Sequence, residues 1–383
     1  LDIQDTWIEV EVADAKGQRL AASGLTHDRD PNDQDTHVLR TLVVDERGEV
    51  LEEHEMASFR TQIATQTLAA REAQAIRYAF DVPATLTAGD LPLTITARLR
   101  HRSRTLKMQH TVCEAAKTAA GRAFIAGAKG AREVVLDPCK LQPITLIAET
   151  HVELGTGAKL TTARPAWERM YEHGMALVAT VSERLEEART VLDAALAATP
   201  AGDKRARAMI LVQLAQVASK QGRVEDALAL VAEARPLLTS PGPSVLDAVA
   251  TDALSRVWRW DDAVAPAKAC VERAPANSTA WVALARVLGS TGDNAGALEA
   301  ATKGLEFVPR DPDLLRSQAT ALAALHRSEA DAALAAYDRF RSPDNSAELR
   351  IHCASDSSRC AREREQGHTH LLHPIDEPVH KVL

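Results

Sequence analysis

The chain has 383 residues, 45% of them hydrophobic and 26% charged, a balance typical of soluble globular proteins with room for two or three domains. Aromatic residues make up only 3%, so the core must be built from Ala, Leu and Val, which suits close-packed helices better than an aromatic-lined small-molecule pocket. The 45 basic and 53 acidic side chains give a formal charge of -8 and are interleaved along the chain, which argues against a nucleic-acid partner, and no apolar run reaches the roughly 18 to 20 residues that span a bilayer.

The chain opens Leu1-Asp2-Ile3 without an initiator Met, which reads as a processed product or as the downstream part of something longer. Residues 1–160 alternate with period two, the signature of strands half buried against one core. Ile8, Val10 and Val12 point one way and Glu9 and Glu11 the other, with a turn at Lys16-Gly17. Val38 to Val44 gives a further strand, followed by turn chemistry at Asp45 to Gly48. The parity returns in Ile76, Tyr78, Phe80 and Val82, in Leu91, Leu93, Ile95, Ala97 and Leu99 against Arg98 and Arg100, and in Ile144 to Val152. An antiparallel β-sandwich of about six to eight strands is the economical reading. Between those strands, Cys113 to Gly130 is rich in Ala and Gly without clear periodicity and reads as a long excursion.

From Pro165 the pattern changes to Ala- and Leu-rich helices with an internal repeat. Small residues recur at Ala176, Ala215, Thr251, Ala285 and Ala319, in steps of 39, 36, 34 and 34. A second set, Ala188, Ala227, Ala263, Ala297 and Ala332, follows in steps of 39, 36, 34 and 35. Pro275, Pro309 and Pro343 close successive units, and Gly222 and Gly292 fall in the turns, where one unit carries Trp258 instead. Trp281-Val-Ala-Leu284-Ala285-Arg-Val-Leu288, then Gly292, Ala297 and Pro309, resembles a tetratricopeptide repeat. The small residues let helices approach closely. The expected fold is therefore β + α multidomain: a β-sandwich over 1–160, a helical solenoid of about five hairpins over 165–343, and a Cys- and His-containing tail or cap over 344–383. Such solenoids hold partner segments on the face lined by the first helices, where Gln213, Gln216 and Arg286 are the candidate contacts.

Catalytic motifs are lacking. Gly155-Thr-Gly157-Ala-Lys159 has the wrong spacing for a phosphate loop, His54-Glu55 lacks the second His of a zinc protease, and no Gly-x-Ser-x-Gly elbow occurs. A non-enzymatic protein is expected. Of five cysteines none forms Cys-x-x-Cys, so no haem is attached covalently to this chain. Cys113 with Cys139 and Cys353 with Cys360 are candidate disulfides, leaving Cys270 alone, and this arithmetic favours an oxidising compartment. The tail holds Cys353, Cys360, His368 and His370, which read as a disulfide-stapled cap, as a tetrahedral metal site, or as histidines serving a neighbouring chain or cofactor.

Asp2-Ile3-Gln4-Asp5-Thr6-Trp7-Ile8-Glu9-Val10, Thr36-His37-Val38-Leu39-Arg40 and the tail Cys353…Cys360-Ala-Arg-Glu-Arg…His368-Thr-His370 together resemble the downstream, haem-free portion of bacterial multihaem cytochromes that carry tetratricopeptide repeats. The resemblance implies a periplasmic or extracellular setting, cytochrome subunits as the protein partner, and haem supplied from an upstream segment or partner. His37, His368 and His370 are then candidate ligands of that haem, because imidazole is a common axial ligand. The alternative is an exported repeat adaptor that binds a protein or peptide with no redox role.

Overall fold

The computed structural model describes residues 4–29, 36–51, 55–68, 72–131, 137–155, 164–179, 184–239, 242–341, 345–349, 351 and 369–374. The chain divides into two units, residues 1–163 together with 343–383, and residues 164–342.

The first unit is built on β1 (Asp5–Ala13), β2 (Arg19–Ser23), β3 (His37–Val38), β4 (Thr41–Val44), β5 (Thr61–Thr65), β6 (Arg77–Ala79), β7 (Leu93–Arg102) and β8 (Thr145–Leu154). Two strands from the chain's end join them, β9 (Thr369–Leu371) and β10 (His373–Pro374). Six strands form one antiparallel sheet in the order β10-β2-β1-β7-β8, with β3 sharing the β2 side of β1. The β1–β2 turn is set locally: the Asp14 carboxylate accepts hydrogen bonds from the backbone N–H groups of Lys16 and Gln18, and Gly17 takes the left-handed conformation at φ +79° that glycine adopts without steric cost. Val10, Val12, Leu93 and Ile95 supply an apolar face, packed against Tyr78 and Phe80 and against Leu372 from the chain's end. The β4–β5 hairpin has its own small core of Leu42, Val44, Ile63 and Leu349.

Three expectations are corrected. The described strands group as one six-stranded sheet, an antiparallel hairpin and a parallel β6–β9 pair, so the run from Val38 to Val44 belongs to two different sheets, and of the Ile76–Val82 run only Arg77–Ala79 is strand. The Cys113–Gly130 excursion is helical, α1 (Leu106–Ala116) and α2 (Ala119–Ala131). Its Ala content favours helix, Thr105 caps α1 by accepting from the Met108 N–H, and most of its side chains are exposed. Residues 344–383 are not a separate cap in their described part: β9 pairs with β6 in the register Tyr78↔His370, and β10 pairs with β2. Strand pairing across some 300 residues leaves no local trace in the sequence.

The second unit contains α3 (Ala166–Ala179), α4 (Leu185–Ala198), α5 (Lys204–Lys220), α6 (Val224–Ala234), α7 (Val245–Arg256), α8 (Trp260–Arg273), α9 (Ser278–Ser290), α10 (Asn294–Phe307), α11 (Pro312–Ala324) and α12 (Ala330–Phe340). Each odd-numbered helix packs against the next, and successive odd-numbered helices also touch, which makes the region a tetratricopeptide-like helical repeat. Asp203, Asn277, Asp293 and Asp311 cap the starts of α5, α9, α10 and α11 with their side chains, each such cap being worth about 1 kcal/mol. The small residues Ala176, Ala215, Thr251, Ala285 and Ala319 are all buried. Gly174 and Gly304 mark close approaches between paired helices, where an added Cβ would stand 2.5 Å from Leu192 and 2.7 Å from Trp281 respectively.

The second set of small residues needs one change. Ala188, Ala227, Ala263 and Ala297 are each the fourth residue of the second helix of a hairpin and are buried. In the last hairpin that position belongs to Ala333, which is buried, and Ala332 is exposed. The cause is the turn. Left-handed residues Gly222, Trp258 and Gly292 stand two places before the following helix, whereas left-handed His326 stands four places before α12. Two extra turn residues shift the register.

Candidate functional site

The sequence pattern names three places, and the structure sorts them. In the second unit, α3, α5, α7 and α9 bring Met175, Val178, Gln213, Gln216, Val249 and Arg286 to one groove of about 540 Å³. The three expected contacts Gln213, Gln216 and Arg286 therefore share one surface, because each lies on the first helix of its hairpin and α5 and α9 both pack against α7 between them. The floor is apolar, from α3 and α7. The polar groups are unequal. Asp252 accepts from Ser219 Oγ at 2.7 Å and from Arg256 Nε at 2.7 Å, so its charge is compensated. Gln213 is hydrogen-bonded to Tyr171, whose hydroxyl is pushed up by burial against the opposing effect of that bond. Gln216 and Arg286 have no hydrogen-bond or ion-pair partner among the described residues, and Arg286 is exposed. Arg286 also lines an adjoining groove of about 510 Å³ with Asn294, Arg316 and Ser317, where Arg316 is paired with Asp313 at 3.2 Å. The cations lining the trough are Lys220 and Arg286 in the first groove and Arg316 in the second, and Arg286, beside an amide that offers both donor and acceptor, reaches both grooves.

In the first unit, His37 and His370 come together. His37 sits on β3 opposite Ile8, and His370 sits on β9 opposite Tyr78. His37 Nδ1 and His370 Nε2 are 3.0 Å apart, both rings are buried, they meet edge to face, and the Tyr78 ring stacks on His370 at 5.1 Å. Imidazoles on opposite sides of one iron would hold their nitrogens about 4 Å apart, twice a metal–nitrogen bond of about 2 Å. The His37–His370 spacing does not fit a haem iron held between them; here one nitrogen of each ring faces the other. Cys353, Cys360 and His368 lie outside the described residues. Among the described residues no group of three or more His, Cys, Asp or Glu side chains is placed to hold a metal, and no helix is long and apolar enough to cross a membrane.

Cys113 and Cys139 form a disulfide, with Cα atoms 4.6 Å apart. Cys270 is a buried free thiol in α8, pushed up by burial and by the nearby Asp247 charge, and so poorly suited to nucleophilic work.

One cluster went unread in the sequence. Asp5 on β1 accepts from Arg102 Nε at 2.9 Å and lies 2.9 Å from His27 Nε2, with Arg102 stacked over Trp7 at 5.3 Å. All four residues are buried. Burial pushes the Asp5 carboxyl up, but the hydrogen bond and charge of His27 and the Arg102 guanidinium outweigh it and hold the carboxyl below its ordinary range. Asp5↔Arg102 are directly opposed across the β1–β7 register. The only signal was an Asp-x-Trp beside a distant Arg, which has no meaning until the strands are paired.

No family model matches the chain, and no curated protein matches it. Solved structures to which it is similar include a MamA D159K mutant, at 17% identity over 46% of this chain and 97% of that one with a TM-score of 0.36. Another is TTC0263, a thermophilic TPR protein in Thermus thermophilus, at 20% identity over 50% and 98% with a TM-score of 0.38. A third is YrrB, described as a TPR protein with an unusual peptide-binding site, at 18% identity over 47% and 87% with a TM-score of 0.36.

Proposed function

We propose that this protein is a non-catalytic interaction module, with about five tetratricopeptide-like hairpins that hold a peptide segment of a protein partner against the face of the first helices. The observation that carries this reading is the convergence of Gln213, Gln216 and Arg286 from α5 and α9 on one groove with an apolar floor. An apolar floor supplies affinity, the glutamine amides match the donors and acceptors of a peptide backbone, and Arg286 selects a carboxylate. The ligand class is therefore an acidic peptide segment with flanking apolar side chains.

The test is fluorescence polarisation with labelled peptides of that type and with matched peptides in which Lys replaces the acidic residue. The acidic peptide should bind the parent, bind Arg286→Glu at least tenfold more weakly, and exchange places with the Lys peptide on that variant. Equal affinity of both peptides for both proteins overturns the reading.

The partner to try first is a cytochrome subunit, following the resemblance to haem-bearing repeat proteins, in a periplasmic or extracellular setting. The Cys113–Cys139 disulfide supports an oxidising compartment. Haem in that reading is carried by the partner or by an upstream segment. Co-sedimentation with a purified multihaem cytochrome, lost in Arg286→Glu, is the corresponding measurement; unchanged co-sedimentation of the variant would place the contact elsewhere.

A further inference from the structure

The sheet of the first unit ends on β8, and the geometry points to a second copy of this chain as what covers that edge: we propose that two β8 strands pair antiparallel about a two-fold axis at Thr150.

Strand β8 is ten residues long and lies at the open end of the sheet order. Nine of its ten residues are exposed, and Leu146, Ile147 and Leu154 are each about half exposed. Long edges of this kind template pairing with another chain and are ordinarily blunted by Pro, Lys or brevity; Thr145–Leu154 contains neither Pro nor Lys. Among the described residues, its outward backbone groups have no partner.

The charges choose the occupant. Across the polar face, Arg19 on β2 pairs with Glu11 on β1 at 2.9 Å, Glu11 faces Arg98 on β7 at 3.9 Å, and Arg98 pairs with Glu149 on β8 at 2.6 Å. The row alternates plus, minus, plus, minus, and stops at Glu149, whose side chain is 45% exposed. A next strand that continues the row offers a cation or a hydrogen-bond donor opposite Glu149, and β8 carries such a group on the same face two residues on, His151.

Directly opposed residues in an antiparallel pair share a face, so a two-fold pairing of β8 with itself must centre on a residue. A centre at Glu149 opposes two carboxylates, a centre at His151 opposes Glu149 to Glu153, and a centre at Val152 opposes His151 to Glu153 but leaves Glu149, where the charge row ends, opposite Gly155. A centre at Thr150 opposes Glu149 to His151 twice and, on the apolar face, Ala148 to Val152 twice. A bulge opposite Leu99 and Arg100 ends the regular edge beyond Ala148, so the pairing runs over Ala148–Val152, flanked by the half-exposed leucines. The product is a continuous sheet through an isologous interface.

The experiment uses the full chain. Sedimentation velocity at micromolar concentration should show a dimer for the parent and a monomer for Thr150→Lys, which sets two ammonium groups face to face while keeping the parent melting curve. Thr150→Cys should crosslink under oxidised glutathione, because opposed Cα atoms lie about 4.5 to 5.5 Å apart, within disulfide reach. Val152→Cys should not exceed the parent, since each Val152 opposes Ala148 and lies far from its own copy. A monomeric parent, a Thr150→Lys dimer, or equal crosslinking of the two cysteine variants overturns the proposal, including the case where the edge takes a strand from a different protein.

Discussion

The two units differ in what they mostly bury. The helical unit buries Ala after Ala, with one buried carboxylate, Asp247, held by Arg235 at 2.8 Å and Arg273 at 3.1 Å. The β unit buries charge: Asp5, Glu9 and Arg102 lie in its interior beside Trp7. A helix approach is governed by side-chain volume, so errors there are steric. A charged interior is governed by pairing, so removing one partner strands the other in a low-dielectric place.

The comparison breaks most visibly at Arg102. Arg102→Met should destabilise the first unit by about 3 to 5 kcal/mol, because Asp5 loses its guanidinium while remaining buried. The double variant Asp5→Leu with Arg102→Met should recover most of that loss in urea unfolding; a double variant no better than the single one would mean that shape rather than charge is at stake.

In the helical unit the matching test is volume. Ala285→Leu and Ala333→Leu should each lower stability by about 1 to 3 kcal/mol through overpacking, whereas Ala332→Leu should stay within about 0.5 kcal/mol, as exposed sites do. Equal thermal shifts for the Ala332 and Ala333 variants would refute the register of the last hairpin.

Acid sharpens the contrast. The folded Asp5 carboxyl is held below its ordinary value, so the folded state binds the proton more weakly than the unfolded chain does. Its stabilising contribution is fully present above the unfolded value of about 3.9 and is lost as pH falls through the lower folded value. Unfolding followed by tryptophan fluorescence in a variant whose Trp167, Trp258, Trp260 and Trp281 are replaced by Phe, which leaves Trp7 as reporter, should show the β unit weakening below about pH 4, and Asp5→Asn should flatten that dependence. An unchanged slope in the variant would transfer the effect to other carboxylates.

The smallest effect concerns the turn at Trp258, left-handed at φ 65° and largely exposed. Non-glycine residues pay about 1 to 2 kcal/mol for that conformation. Trp258→Gly should therefore raise the melting temperature slightly, worth about 0.5 to 1 kcal/mol after the entropy of glycine is counted; a fall would mean that the Trp258–Trp260 contact outweighs the backbone.

By itself, the sequence determined the helical repeat, its small-residue positions in four hairpins, and the face that carries Gln213, Gln216 and Arg286. Helical hydrogen bonds and hairpin contacts connect residues close in the chain, so their period is written along it. It also marked Cys113 and Cys139 as partners, and the parity of β1 and β7. Only the tertiary structure decided that His370 reaches His37 across 333 residues, that the chain's end supplies two strands to the first unit, and that Asp5 meets Arg102. The sequence put Glu9 on the face opposite Val10, and only the structure shows that it is buried there against Arg100 at 2.9 Å. Period two tells which residues share a face of a strand; what covers that face depends on elements brought from far along the chain, and no local pattern records it.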